Sequence, residues 1–91
     1  MYSIETTKKF EKDVEIAKKR NFNMNLLKNI IEMLEANGNV PKQYKPHKLK
    51  GNFDDLWECH IKPDWLLIWD KKEKIKLISL IRTGTHSDLF K

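Results

Sequence analysis

The chain has 91 residues, 40% hydrophobic and 34% charged, and its 18 Lys and Arg against 13 Asp and Glu leave a formal net charge of +5, which favours a polyanionic partner through long-range steering. This size suits one domain over residues 1–91 with one core, the composition is not that of a disordered chain, and no apolar run approaches the roughly 18 residues that cross a bilayer. The single Cys59 excludes an internal disulfide and a thiolate-rich zinc site, and Met1-Tyr2-Ser3-Ile4-Glu5-Thr6 lacks the cationic start and apolar stretch of a secretory signal, so a cytoplasmic protein with no membrane partner is expected.

Residues 2–6 alternate Tyr2, Ile4 and Thr6 with Ser3 and Glu5, as a half-buried strand does. From Thr7 the period changes. Phe10, Val14 and Ala17 lie at i, i+4 and i+7 among Lys8, Lys9, Glu11, Lys12, Asp13, Glu15, Lys18 and Lys19, which makes one apolar stripe on a charged, solvated helix. Asn21-Phe22-Asn23 breaks that helix and Asn23 can cap a second one. Its apolar face runs from Leu26 and Leu27 through Ile30, Ile31 and Met33 to Leu34, ending at Asn37-Gly38, where Gly supplies the left-handed residue. An antiparallel helical hairpin packed on a sheet is expected. Asn39 to Pro46 holds two of the three prolines and no periodicity, and reads as an ordered loop that delivers His47.

Leu56–Ile61, Trp65–Asp70 and Lys74–Thr83 read as three consecutive antiparallel strands, joined by a Lys62-Pro63 bend and a Lys71-Lys72-Glu73 turn. Strand parity puts Glu58 and His60 opposite Trp57, Cys59 and Ile61, so one face reads as core and the other as a site. The same parity sets Ile75, Leu77, Ser79 and Ile81 against Ile78, Leu80 and Arg82. Cys59 reads as a small buried hydrophobe rather than a nucleophile. After Gly84-Thr85 a short tail runs from His86 to Phe90. The fold class is therefore α+β: an N-terminal strand and helical hairpin packed on an antiparallel β-sheet, with a C-terminal three-strand meander.

In such a meander the Lys62-Pro63 bend lies beside the end of the last strand. His60, Asp64, Arg82 and His86 then become neighbours, and His47 joins them if its loop folds over that end. Imidazole titrates near ~6.5 and can take or give a proton, Arg grips a phosphate bidentately, and Asp can orient an imidazole or act as a base. Such a set suits RNA cleavage by the adjacent 2′-hydroxyl, which needs a base, an acid and positive charge for the phosphorane. Phe90 or Trp65 would stack a splayed base, and Phe90 equally suits a tail plugged into the core. A metal site built on His60 and Asp64 with Cys59 or His86 is disfavoured, because Cys59 and His60 point to opposite faces. No metal and no cofactor are expected.

The motifs His47-Lys48-Leu49-Lys50-Gly51, Trp57 to Leu67 and Leu80 to Phe90 together resemble the YafQ branch of the RelE/ParE toxin superfamily, the toxins of type II toxin–antitoxin modules. The resemblance covers the C-terminal half as motifs and the whole chain as element order. It implies a RelE-like fold and a ribosome-dependent, metal-independent endoribonuclease that cuts mRNA in the decoding site of the 70S ribosome. It also implies a small antitoxin wrapped round a toxin that is monomeric alone and hetero-oligomeric in the complex. His47, His60, Asp64, His86 and Phe90 match the family's functional set, with Glu58, Trp65 and Arg82 in supporting positions and Lys50 and Lys62 beside the substrate. On this reading His86 with Asp64 handles proton transfer, His60 and His47 position or neutralise the phosphate, Arg82 stabilises the phosphorane and Phe90 stacks. Two alternatives stay open: a non-catalytic toxin of the same fold that acts by binding, as the gyrase-inhibiting ParE members do, and an RNA- or ribosome-binding adaptor.

Overall fold

Side-chain caps open both helices, and the cap and stop of the second are the expected ones. Thr7 is extended and its hydroxyl accepts from the Phe10 N–H, so α1 runs Lys8–Lys19. The Asn23 side chain accepts from the Asn25 N–H and opens α2, Met24–Asn37, which closes on Gly38 at φ +74°. Gly38 also lies under the Tyr2 ring. A Cβ there would sit 2.8 Å from the Tyr2 hydroxyl oxygen, so the position needs glycine for space as well as for backbone. The computed structural model describes residues 1–51 and 55–90, and Lys91 lies outside them.

The loop after α2 is not featureless. It contains a 3-10 turn, Lys42–Tyr44, and leads into a two-residue strand β2, His47–Lys48. Numbering Ser3–Thr6 as β1, the later strands are β3, Trp57–Lys62, β4, Trp65–Lys72, and β5, Leu77–Gly84, followed by a short helix α3, His86–Leu89. The sheet order is β1-β5-β4-β3-β2. The meander β3-β4-β5 is antiparallel as expected, and β2 adds to it antiparallel. At the other edge β1 runs parallel to β5, Ser3 opposite Leu77 through Thr6 opposite Leu80, so the sheet is mixed rather than wholly antiparallel. A helical hairpin separates β1 from its partner, and no tight turn imposes an antiparallel pairing.

Two local details differ from the sequence pattern. The β4–β5 turn occupies residues 73–76 and not Lys71–Glu73, because Lys71 and Lys72 still pair with Ile78 and Leu77. Charged side chains do not end a ladder that backbone groups hold together, and the Lys71 ammonium finds a place 5.3 Å from the Trp57 ring centre. The second detail is a bulge. Ile68 pairs with Arg82 and Trp69 with Leu80, which leaves Ile81 without a partner and breaks the parity of β5. Leu80 in the helix-side core and Ile81 on the opposite face keep the expected alternation, and beyond the bulge Arg82 pairs with Ile68 of the far face and Thr83 with Leu67 of the helix-side core.

The helix-side core is built on Trp69, Leu34, Ile30, Leu67, Cys59, Ile78 and Leu80, all at most 1% exposed. Each large side chain there is worth roughly 1.5–3 kcal/mol of burial. The far face carries a second, smaller cluster of Leu66, Ile68 and Leu89 backed by Leu49, Leu56 and Ile81. That face is both a site and a minor core, where a site alone was expected. Among the described residues no helix is long and apolar enough to cross a membrane.

Candidate active site

The alternation along β3 aims Glu58 and His60 at the small-cluster face, opposite Ile68 and Leu66. Cys59 points the other way and is fully buried, and burial, with the neighbouring Glu58 charge a lesser cause, pushes its thiol up to about 12. It behaves as a hydrophobe. His47 lies opposite Glu58 across the β2–β3 pair. Its Nε2 is 3.1 Å from Glu58 Oε1 and its Nδ1 2.9 Å from the Lys45 carbonyl oxygen. Both ring nitrogens face acceptors. His60 Nε2 stands 4.0 Å from the same Glu58 oxygen. Glu58 is 5% exposed, and its other oxygen has no hydrogen-bond partner among the described residues.

Asp64 occupies the bend between β3 and β4, from which its Oδ1 accepts the His86 backbone N–H at 2.9 Å and meets His86 Nδ1 at 2.6 Å. These two bonds, the backbone one first, hold the Asp64 carboxyl below its ordinary range. An ionised Asp64 accepts, so His86 Nδ1 carries the proton and Nε2 is the nitrogen left to accept one. The four residues of α3 that present His86 are fixed by a capping box, Thr85 with Asp88, and by a bidentate contact from Arg20 to Asp88 at 2.7 and 3.2 Å. The Arg20 guanidinium, with the Thr85 N–H second, holds the Asp88 carboxyl far below the carboxylate range.

The result is a row of rings. Ring centres lie 6.2 Å apart for His47 and His60, 5.9 Å for His60 and His86, and 6.5 Å for His86 and Phe90. Leu89 makes the tail's core contact, and Phe90 is 41% exposed at the end of the row. Lys50 and Lys62 are both exposed, Lys50 in the loop after β2 and Lys62 at the end of β3.

Two expected members do not join this row. Arg82 turns to α1, where its Nε and Nη2 donate to Asp13 at 2.6 and 3.1 Å, and the Thr83 N–H adds a third bond to the same carboxylate at 3.1 Å. Asp13 is 9% exposed, and a carboxylate so buried needs a counter-charge. Its charge and its charged neighbours on α1 suggest a solvated face, and the structure corrects that. The missed signal was its spacing, three residues after Phe10 and four before Ala17, on the buried stripe. Trp65 is the second correction. It is 3% exposed, its Nε1 donates to the Thr83 hydroxyl at 3.0 Å and its ring lies 4.9 Å from that of Phe22, so it cannot offer a ring face to a base. The register shift between His60 and Lys62, opposite the start of β4, accompanies its turn into the helix-side core.

Among the described residues no group of three or more His, Cys, Asp and Glu side chains could hold a metal ion. The geometry offers an oriented imidazole, two further imidazoles beside a buried carboxylate and an exposed aromatic ring. This is equipment for proton transfer and for gripping a flexible anion.

Comparison with known proteins agrees with the resemblance. Residues 2–91 match the family described as the bacterial toxin of type II toxin–antitoxin system, YafQ. The mRNA interferase toxin YafQ of Escherichia coli K12 is 40% identical over 88 residues, 96% of this chain and 94% of that one. The toxin chain in the crystal structure of the E. coli DinJ-YafQ complex superposes with a TM-score of 0.90 at 38% identity over the full length of both chains. A metal-bound toxin from Helicobacter pylori superposes at 0.89 with 42% identity, covering 99% of this chain and all of that one. With a family match over nearly its whole length and the same α+β fold, the chain belongs to the YafQ family of type II toxin–antitoxin toxins.

Proposed function

We propose that this chain is an mRNA interferase that cleaves mRNA on the ribosome by internal attack of a 2′-hydroxyl, and that a small antitoxin silences it in the cytoplasm. The observation that carries this reading is the His86–Asp64 contact, which leaves one imidazole nitrogen protonated and fixed and the other open to substrate. The 2′-oxygen loses its proton to a base and attacks phosphorus. The pentacoordinate phosphorane then breaks its bond to the 5′ oxygen, which takes a proton from an acid, leaving a 2′,3′-cyclic phosphate and a 5′-hydroxyl. His86 performs one proton transfer, and His60 and His47 neutralise or protonate the phosphate from the neighbouring places in the row. Glu58 backs these two imidazoles from below, Phe90 stacks a base, and Lys50 and Lys62 contact backbone phosphates. Arg82 has a positioning part, tying β5 to α1 through Asp13.

That E. coli YafQ is an mRNA interferase and crystallises with DinJ supports both the substrate and the partner. The test is induction in cells with primer-extension mapping of mRNA ends, comparing the parent with His86→Ala and with EDTA-treated extracts. His86→Ala should lose on the order of 10²–10⁴-fold in cleavage, the usual worth of one general acid or base, and EDTA should change nothing. Cleavage by His86→Ala at the parental rate would sink the assignment, and growth arrest that survives His60→Ala with His86→Ala would point to a toxin that acts by binding.

A further inference from the structure

Beyond Asp64, on the side away from the histidine row, a cleft of 330 Å³ is lined by Phe22, Leu26, Trp65, Asn23 and Lys62 as well as by Asp64 itself. We infer that this cleft is a subsite for one unpaired nucleobase of the RNA, seated against Phe22, with its sugar–phosphate directed past Asp64 toward His86. The inference rests on the ribonuclease reading above. Its size falls within the range of small-ligand sites, and its make-up is the usual one, a mostly apolar wall with a few polar groups.

Three observations favour a nucleobase. First, the wall is aromatic and rigid. Phe22 is half-buried and backed by the Trp65 ring at 4.9 Å with the planes tilted by 58°, and Trp65 is in turn pinned through its Nε1 to Thr83. A fixed ring is a stacking platform that serves any base. Second, the polar groups suit a nucleotide. Lys62 is exposed at the rim, where it can meet a phosphate. The Asn23 carbonyl oxygen is taken by the cap of α2, which leaves its amide NH₂ to donate to an acceptor on a base edge. Third, the cleft is continuous with the site. Asp64 lines it and also holds His86 Nδ1 at 2.6 Å, so a nucleotide placed there lies one residue from the reacting nitrogen.

The experiment uses trinucleotides with 2′-O-methyl riboses, which lack the attacking hydroxyl and are not cut, and measures their affinity by calorimetry for the full chain. Phe22→Ala should weaken binding on the order of tenfold, Phe22→Tyr should restore it, and Lys62→Ala, at an exposed position, should weaken it and reduce the salt dependence. On ribosomes, Phe22→Ala should redistribute cleavage among codons, and its thermal melting shows whether the variant is folded. Unchanged trinucleotide affinity in folded Phe22→Ala overturns the subsite, as does a variant that loses antitoxin affinity alone, which would give the cleft to the antitoxin. A parent that binds the trinucleotides through Phe22 and Lys62 yet cleaves no mRNA overturns the ribonuclease reading while supporting the base in the cleft.

Discussion

Replacing Asp13 by Ala tests how the site's frame is held. Asp13 is 9% exposed and accepts three bonds, from Arg82 Nε at 2.6 Å, Arg82 Nη2 at 3.1 Å and the Thr83 N–H at 3.1 Å. Thr83 is 1% exposed, so its N–H would be left without water or partner, at a cost of about 1–3 kcal/mol. Breaking a fully buried pair costs about 3–5 kcal/mol, but the Arg82 side chain is 24% exposed and regains some hydration, which reduces its share to about 1–2 kcal/mol. The sum is about 2–5 kcal/mol, and a domain of this size loses roughly 4–8 °C in Tm per kcal/mol. Urea denaturation of the parent, Asp13→Ala, Arg82→Ala and the double variant completes the cycle. A coupling energy of about 1–3 kcal/mol is expected, because each partner left alone is a poorly solvated charge. Additivity within about 0.5 kcal/mol would refute the reasoning and return Arg82 to the set of residues free to meet a phosphate.

Two further outcomes follow from the ionisation of particular side chains. Asp88 and Asp64 have carboxyls held below the usual ~3.9, Asp88 chiefly by Arg20 and Asp64 by the two His86 bonds, so both are stabilising above that pH and the contribution is lost as pH falls through their lowered folded values. The urea midpoint should drop on acidification below about pH 4, and Asp88→Asn should flatten that drop by about 1 kcal/mol or less, since the Arg20–Asp88 pair is partly exposed; an acid limb identical to the parent's would contradict this. Cys59, fully buried with its thiol pushed up to about 12, should resist iodoacetamide in the native protein and react at once in denaturant, and rapid native alkylation would show that the helix-side core opens easily.

Local chemistry made much of this protein legible. The hydroxyl of Thr7, the amide of Asn23 and the left-handed Gly38 act over three or four residues, so the ends of α1 and α2 are found where the sequence puts them. The period-two rule likewise separated Glu58 and His60 from Cys59 and Ile61, because pleating is a property of the strand itself. The same rule held through Ile81, which lies opposite Leu80, and failed beyond it, where Arg82 pairs with Ile68 of the far face and Thr83 with Leu67 of the helix-side core. One unpaired residue shifts every later position, and whether β5 takes the extra residue depends on its pairing with β4 and on the demand of Asp13 in α1. Trp65 misled for a related reason, since a Trp beside an active-site motif looks available for stacking until the register shift before it sends the ring under Phe22.

Taken alone, the sequence determined the two helices, the three-strand meander, the two faces of β3 and the resemblance to the family. The resemblance already joined His86 to Asp64, a contact the structure contains across 22 residues, but only the tertiary structure gave Arg82 to Asp13 across 69, and nothing in the propensities of either segment states that choice. A charge that is being buried pairs with whichever opposite charge the packed elements bring within reach, and that proximity comes into being only when helix, sheet and tail close on one another.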